Sequence, residues 1–134
     1  MSKPSKELTC EDVIVEHYNG RLTQIRETIA GCGYMEDKGI DWLDFSYVGA
    51  HTFNGQERGY FRWQLSWGGP SDEYRIFMEE DGSIEHITYH FMDWYDGAEM
   101  EVYENEIWEF IRERFGHEIR YNTDWRWDFP TDNK

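Results

Sequence analysis

Between residues 42 and 94, large apolar side chains alternate with polar ones in four separate runs, each cut off by a turn-forming sequence. Strict alternation marks a half-buried strand, because successive side chains point to opposite faces of a sheet. Trp42 to Gly49 places Leu43, Phe45 and Tyr47 on one face and Trp42, Asp44, Ser46 and Val48 on the other. Tyr60 to Trp67 alternates more strongly, with Phe61, Trp63, Leu65 and Trp67 facing one way. Asp72 to Glu79 carries Tyr74, Ile76 and Met78 on one face, and Ile84 to Trp94 is a fourth run, long enough to bend or bulge. Asn54-Gly55, Gly68-Gly69-Pro70-Ser71 and Asp81-Gly82 separate the runs, and Asp96-Gly97 ends the last. These residue types supply the positive or fixed φ that tight turns need. Short links make neighbouring strands antiparallel, so the middle of the chain reads as a meander.

Helical periodicity flanks the meander. Ile14, Tyr18, Leu22, Ile25 and Ile29 recur three or four residues apart, which is one face of a helix. Thr9 is placed to cap it, with Asp12 at the third position suited to the helix dipole. Asn19-Gly20 interrupts the pattern and predicts a kink or two short helices. Gly31 and Gly33 end it, and residues 34–40 connect it to the first strand. A second stripe, Ile107, Trp108, Ile111 and Phe115, predicts a helix from about Tyr103 to Phe115, with Gly116 just past its end. His117 to Lys134 carries Tyr121, Trp125, Trp127 and Phe129 and reads as a final edge strand or an extended aromatic arm, stopped by Pro130. Residues 1–8 read as a frayed tail. The expectation is a single α+β domain over residues 1–134: a four- to five-stranded antiparallel meander sheet with the N-terminal and C-terminal helices on one face.

A chain of 134 residues is long enough for one core that needs neither disulfide nor metal. Its 7 Trp, 9 Tyr and 8 Phe separate it from acidic disordered chains, which are poor in aromatics. The 28 acidic residues exceed the 13 basic ones by 15. Such an excess disfavours direct binding to nucleic acid or to anionic membranes, both of which need Lys and Arg, and favours a basic protein partner. Cys10 and Cys32 form no metal-binding or redox spacing; reduced thiols and a cytoplasmic location are expected, with a Cys10–Cys32 bridge left open. Met1 to Lys6 lacks an apolar signal segment, and no run nears the roughly 20 apolar residues of a membrane helix.

The charge is concentrated. Residues 72–106 hold 12 acids and one base, Arg75, so this stretch supplies 11 of the 15 excess negative charges. Carboxylates on one strand face recur every 6.6 to 7 Å or so, and Glu106, Glu109 and Glu113 form a helical row. Rows at such spacings resemble the phosphates of a nucleic acid. The candidate binding residues for a basic partner are Glu79, Glu80, Asp81, Glu85, Asp93, Asp96, Glu99, Glu101 and Glu104. The competing reading is a plain solvated acidic face.

Catalytic and metal signals are weak. His86 and His90 share a strand face, but four strand residues separate their side chains by about 13 Å, too far for one ion. Ser66, Ser71 and Ser83 lie in no nucleophile elbow, and Cys10 has no neighbouring catalytic pattern. With so many acids, a carboxylate pair of the glycosidase type can be found anywhere and carries no information. No glycine-rich phosphate loop occurs. No cofactor and no catalysis are therefore expected.

Two strings are distinctive: the run from Trp63 through Ser66-Trp67-Gly68-Gly69-Pro70-Ser71-Asp72 to Arg75, and Asp93-Trp94-Tyr95-Asp96-Gly97-Ala98. Each reads first as turn chemistry, with Ser71, Asp72 and Asp96 at sheet ends, where binding residues often lie. The strings resemble those of small acidic proteins carried by bacterial plasmids, phages and other mobile elements. The resemblance spans roughly residues 63–98 and implies an inhibitor of host defence of the anti-restriction or anti-CRISPR type, some of which are DNA mimics; it assigns no functional residue. An immunity protein or antitoxin against a basic nuclease toxin is the alternative expectation, and a small enzyme with an acidic cleft is the third.

Overall fold

A computed structural model describes residues 9–31, 39–94, 96–122 and 124–128, with the side chains of residues 127 and 128 left aside. The first helix, α1, runs Cys10–Gly31. Five strands follow: β1 Asp44–Val48, β2 Tyr60–Ser66, β3 Ser71–Met78, β4 Ile84–Asp93 and β5 Asp96–Glu101. Helix α2 spans Asn105–Tyr121, and a 3₁₀ turn covers Asp124–Asp128. The strands form one antiparallel sheet in sequence order, β1-β2-β3-β4-β5. This is the expected α+β meander in its five-stranded form.

Helix α1 starts as expected. Thr9 Oγ1 accepts the Asp12 N–H, and the Asp12 carboxylate accepts the Thr9 N–H, so two end donors are satisfied reciprocally. Asn19-Gly20 does not break it: the helix is continuous over 22 residues. Tyr18 and Leu22 are buried on either side of the glycine, and that burial outweighs a propensity cost of about 1 kcal/mol. Gly33 and Cys32 lie outside the described residues, as do the tail 1–8 and most of the 34–40 connection; Cys10 is buried as a free thiol.

Both helices lie on one face of the sheet. Tyr18 of α1 meets Tyr89 edge-on, and Phe110 of α2 stacks on Trp63. Tyr74 stands between, touching both Trp63 and Tyr89. Phe115 of α2 stacks on Phe45 of β1 with ring centroids 4.1 Å apart. Trp63, Tyr74, Ile76, Ile87 and Tyr89 are fully buried here, and aromatic rings supply most of that contact area. The opposite face carries a charged and polar set. In register across the strands run Arg62, Arg75, Thr88 and Glu101, and beside them Gln64, Glu73, His90 and Glu99.

Three sequence expectations are corrected. Asp96-Gly97 does not end the sheet. β4 ends at Asp93, and Asp96–Glu101 forms β5, paired with β4 from Asp93↔Asp96 to Thr88↔Glu101. Gly116 does not end α2, because Ile119 continues the buried stripe of Ile111 and Phe115 one turn further. The described part of the C-terminal segment is neither strand nor extended arm: 117–121 belong to α2, and the following 3₁₀ turn buries Trp125, whose indole N–H donates to the Ile119 carbonyl at 3.4 Å.

Candidate functional site

The nine carboxylates expected to form one surface are spread along both ends of β4, over β5 and to the start of α2, with none on β1 or β2. Glu79, Glu80 and Asp81 occupy the β3–β4 turn and are exposed. Asp93 and Asp96 flank the β4–β5 turn at the other end of β4, about 30 Å away at the strand rise of ~3.3 Å per residue. Glu99 and Glu101 lie on the edge strand β5, on the face away from the helices. Glu104 stands just before α2.

Several are already engaged. Asp96 Oδ2 accepts the backbone N–H of Cys10, the first residue of α1, at 2.7 Å, and its Oδ1 accepts the Gly97 N–H. It thus anchors a helix start that is 86 residues distant in sequence. Glu104 accepts the Tyr18 hydroxyl proton; burial, then this contact, pushes the Tyr18 phenol far above its ordinary range. Glu85 pairs with Arg58, which holds its carboxyl below the usual range. Asp81 accepts both the N–H and the hydroxyl of Ser83, again lowering its pKa. Glu79, Glu80, Asp93, Glu99 and Glu101 are less committed, though Glu99 comes within 3.7 Å of the His90 ring.

The one base in this stretch adds little exposed positive charge. Arg75 donates to Glu73 at 2.6 Å and lies over the Tyr60 ring, with the Glu73 side chain 5% exposed. His90 is buried beside them, its Nε2 2.8 Å from the Thr88 hydroxyl. Burial, helped by Arg75, depresses its pKa to about 3. Glu99 pulls the other way but is largely solvated, so burial prevails.

The two distinctive strings converge. Gly68-Gly69-Pro70, with a cis Gly69–Pro70 bond, links β2 to β3 at the end of the sheet where β4 gives way to β5 beside Trp94. A Cβ on Gly69 would lie 3.0 Å from Trp94 Nε1, so the two turns approach closely there and the exposed indole would have to shift to admit one. Trp94 has φ of 53°, a region disfavoured for side chains of its size, and is 83% exposed; Trp67 is 75% exposed. Exposed tryptophans on adjoining turns are the residue type that anchors protein interfaces.

Beneath this end is the best-made polar cluster in the molecule. Asp72 is 3% exposed. Its carboxylate accepts Arg21 Nε at 2.7 Å, Arg21 Nη2 at 2.9 Å, the Tyr89 hydroxyl at 2.6 Å and the Ser66 hydroxyl. Burial pushes the Asp72 carboxyl up, but the bonds from Arg21, Ser66 and Tyr89 outweigh it and hold the group below its usual range. A bulge between Gln64 and Ser66 turns Ser66 toward Asp72. An open cavity of about 480 Å³ above the cluster is lined by His17, Arg21, Ser66, Pro70, Asp72 and Phe91, among others. With four donors on its two oxygens, Asp72 has no spare lone pair for proton abstraction, and the cluster ties α1 to the sheet.

Sequence reading singled out Ser71 and Asp72 but not Arg21, Ser66 or Tyr89 as partners of Asp72. Arg21 lies 51 residues away, and no local pattern announces such a pairing. Among the described residues, no three His, Cys, Asp or Glu side chains converge to hold a metal ion, and no helix is long and apolar enough to cross a membrane. No family profile, curated protein or solved structure matches the chain.

Proposed function

We propose that this chain is a non-enzymatic inhibitor that docks an acidic surface into the nucleic-acid groove of a basic, bacterial defence enzyme of the restriction or CRISPR type, acting in the cytoplasm. The observation carrying this reading is that the acid-rich stretch has no free Lys or Arg of its own among the described residues. Residues 72–106 hold 12 acids and one base, and that base, Arg75, is paired with Glu73. Exposed Glu79, Glu80 and Glu99, with half-buried Glu101 on the same strand face as Glu99, present carboxylates on turn and strand backbone, an arrangement suited to Lys and Arg of a groove built for phosphates.

The test is inhibition of DNA cleavage by a panel of purified restriction and CRISPR nucleases. Inhibition of one of them is expected, weakening steeply between about 0.1 and 1 M salt as the Debye length falls from ~10 to ~3 Å. The Glu79→Lys/Glu80→Lys and Glu99→Lys/Glu101→Lys pairs should each weaken it without unfolding the domain. Undiminished inhibition by the combined fourfold variant would overturn the reading. A second reading, an immunity protein or antitoxin for one nuclease toxin, draws on exposed Trp67 and Trp94, since buried aromatic anchors give a tight single-partner interface. Loss of binding on Trp67→Ala/Trp94→Ala, with little salt dependence, would favour it.

A further inference from the structure

The arginines divide into two groups. Arg21, Arg26, Arg58, Arg75 and Arg114 each pair with a carboxylate. Arg62, Arg112, Arg120 and Arg126 have no ion-pair partner among the described residues. In a chain with 28 acids, four of the nine arginines are thus left without a carboxylate among those residues. Three of these four, Arg112, Arg120 and Arg126, line one cavity of about 490 Å³ between the β3–β4 turn and the C-terminal half of α2. Among the described residues Asp81 is the sole acid in its lining, and it is engaged by Ser83. Three guanidinium groups thus meet one carboxylate in the lining, with Glu79 and Glu80 next to Asp81 in the same turn.

Gly116 is the second, independent observation. It lies midway between Arg112 and Arg120 on the same row of α2, four residues from each. Gly disfavours a helix interior, yet no positive φ requires it here, and a Cβ at this position would meet nothing within 4 Å. What the glycine does is leave an open floor in the cavity, between two arginines about 12 Å apart along the helix. Ile84 and Trp108 add a partly buried apolar wall. Guanidinium forks match phosphate oxygens in pairs, and the volume falls in the range of small-ligand pockets.

We propose that this cavity binds a small phosphorylated molecule of nucleoside-diphosphate size, with its phosphates on Arg112, Arg120 and Arg126 and its uncharged part against Trp108 and Ile84. The site borders the acidic β3–β4 turn, sharing Asp81 with it, but does not depend on that reading. The test is calorimetric titration of the full chain with ADP, inorganic pyrophosphate and adenosine. ADP is expected to bind at one site with a Kd below about 1 mM, adenosine not at all. Arg112→Gln/Arg120→Gln should weaken ADP roughly tenfold or more. Gly116→Leu, which fills the floor and retains every charge, should weaken it comparably, while Arg26→Gln should not. Gly116→Leu keeps the idea exposed to failure if the double variant does not fold. Silence of both ADP and pyrophosphate at millimolar concentration would overturn the proposal, as would ADP binding undiminished in the folded variants or tighter binding to a single-stranded oligonucleotide than to ADP.

Discussion

The two ends of the sheet hold the same residue types in opposite states. At the β2–β3 and β4–β5 end, charges are tied down: Asp72 accepts four hydrogen bonds and Asp96 anchors the start of α1. At the β3–β4 end, Glu79 and Glu80 are exposed, and Arg112, Arg120 and Arg126 line a cavity without ion-pair partners among the described residues. The number of charges in a stretch therefore says little about how many are available to a partner. Burial and pairing decide that, and they differ from one end to the other.

The largest effect should come from the tied end. Asp72→Ala leaves Arg21, Tyr89 and Ser66 without their acceptor at a position that is itself 3% exposed, and removing one partner of such a pair costs roughly 3–5 kcal/mol. Chemical denaturation should show this as a lower midpoint with an unchanged slope. Glu80→Ala, at the other end, should stay within about 0.5 kcal/mol of the parent. Equal losses at both ends would erase the contrast.

Acid should act next, and in two stages. His90 has an ordinary pKa of 6.5, depressed to about 3 in the folded chain. Between these values the unfolded state binds the extra proton, so stability rises with pH. Its contribution is complete above pH 6.5 and is lost as pH falls, roughly 3 kcal/mol by about pH 4. Asp72, with its pKa lowered, contributes stability that is present above its ordinary 3.8 and disappears only at still lower pH. His90→Gln should flatten the first stage and leave the second. Melting temperatures taken from pH 7 to pH 3 separate the two; an unchanged upper stage in His90→Gln would show that another group titrates there.

A smaller and opposite change is expected in the helices. Gly116→Ala and Gly20→Ala meet nothing within 4 Å and no unusual φ, so each should raise stability by about 0.5–1 kcal/mol. Both glycines border cavities, Gly20 beside the paired Arg21 and Gly116 between unpaired arginines. A loss on either substitution would mean that the bare backbone packs against something in solution.

The strand meander was legible because Phe61, Trp63, Tyr74 and Ile76 keep a strict period of two and the turns carry their own residue chemistry. Strand β5 was not. Asp96-Gly97-Ala98-Glu99-Met100-Glu101 is built from types depleted in strands, and it becomes a strand because β4 offers an unpaired edge and Ala98 and Met100 pack on the core. Gly20 and Gly116 were misread for one reason: local propensity was weighed above a hydrophobic stripe that ran on through both, to Leu22 and to Ile119. The density of acids was plain in the sequence. Which of them are engaged was not, since Asp72 and Asp96 find their partners 51 and 86 residues away.

The smallest stability change bears most directly on function. Carboxylates on an edge strand also guard against edge-to-edge pairing of sheets, so Glu99 and Glu101 have a structural use that Glu79 and Glu80, in a turn, do not. Glu79→Lys/Glu80→Lys should shift unfolding by less than about 0.5 kcal/mol and leave the chain monodisperse. Glu99→Val/Glu101→Val should fold as well but associate as concentration rises, visible by light scattering, because β5 then presents an apolar, unpaired edge. If both pairs also weaken inhibition of the same nuclease, the acidic surface runs from the turn onto the strand. If the turn pair alone does so, the charge on β5 serves to protect the sheet edge, and the binding surface is confined to the end of the molecule where charges are left unpaired.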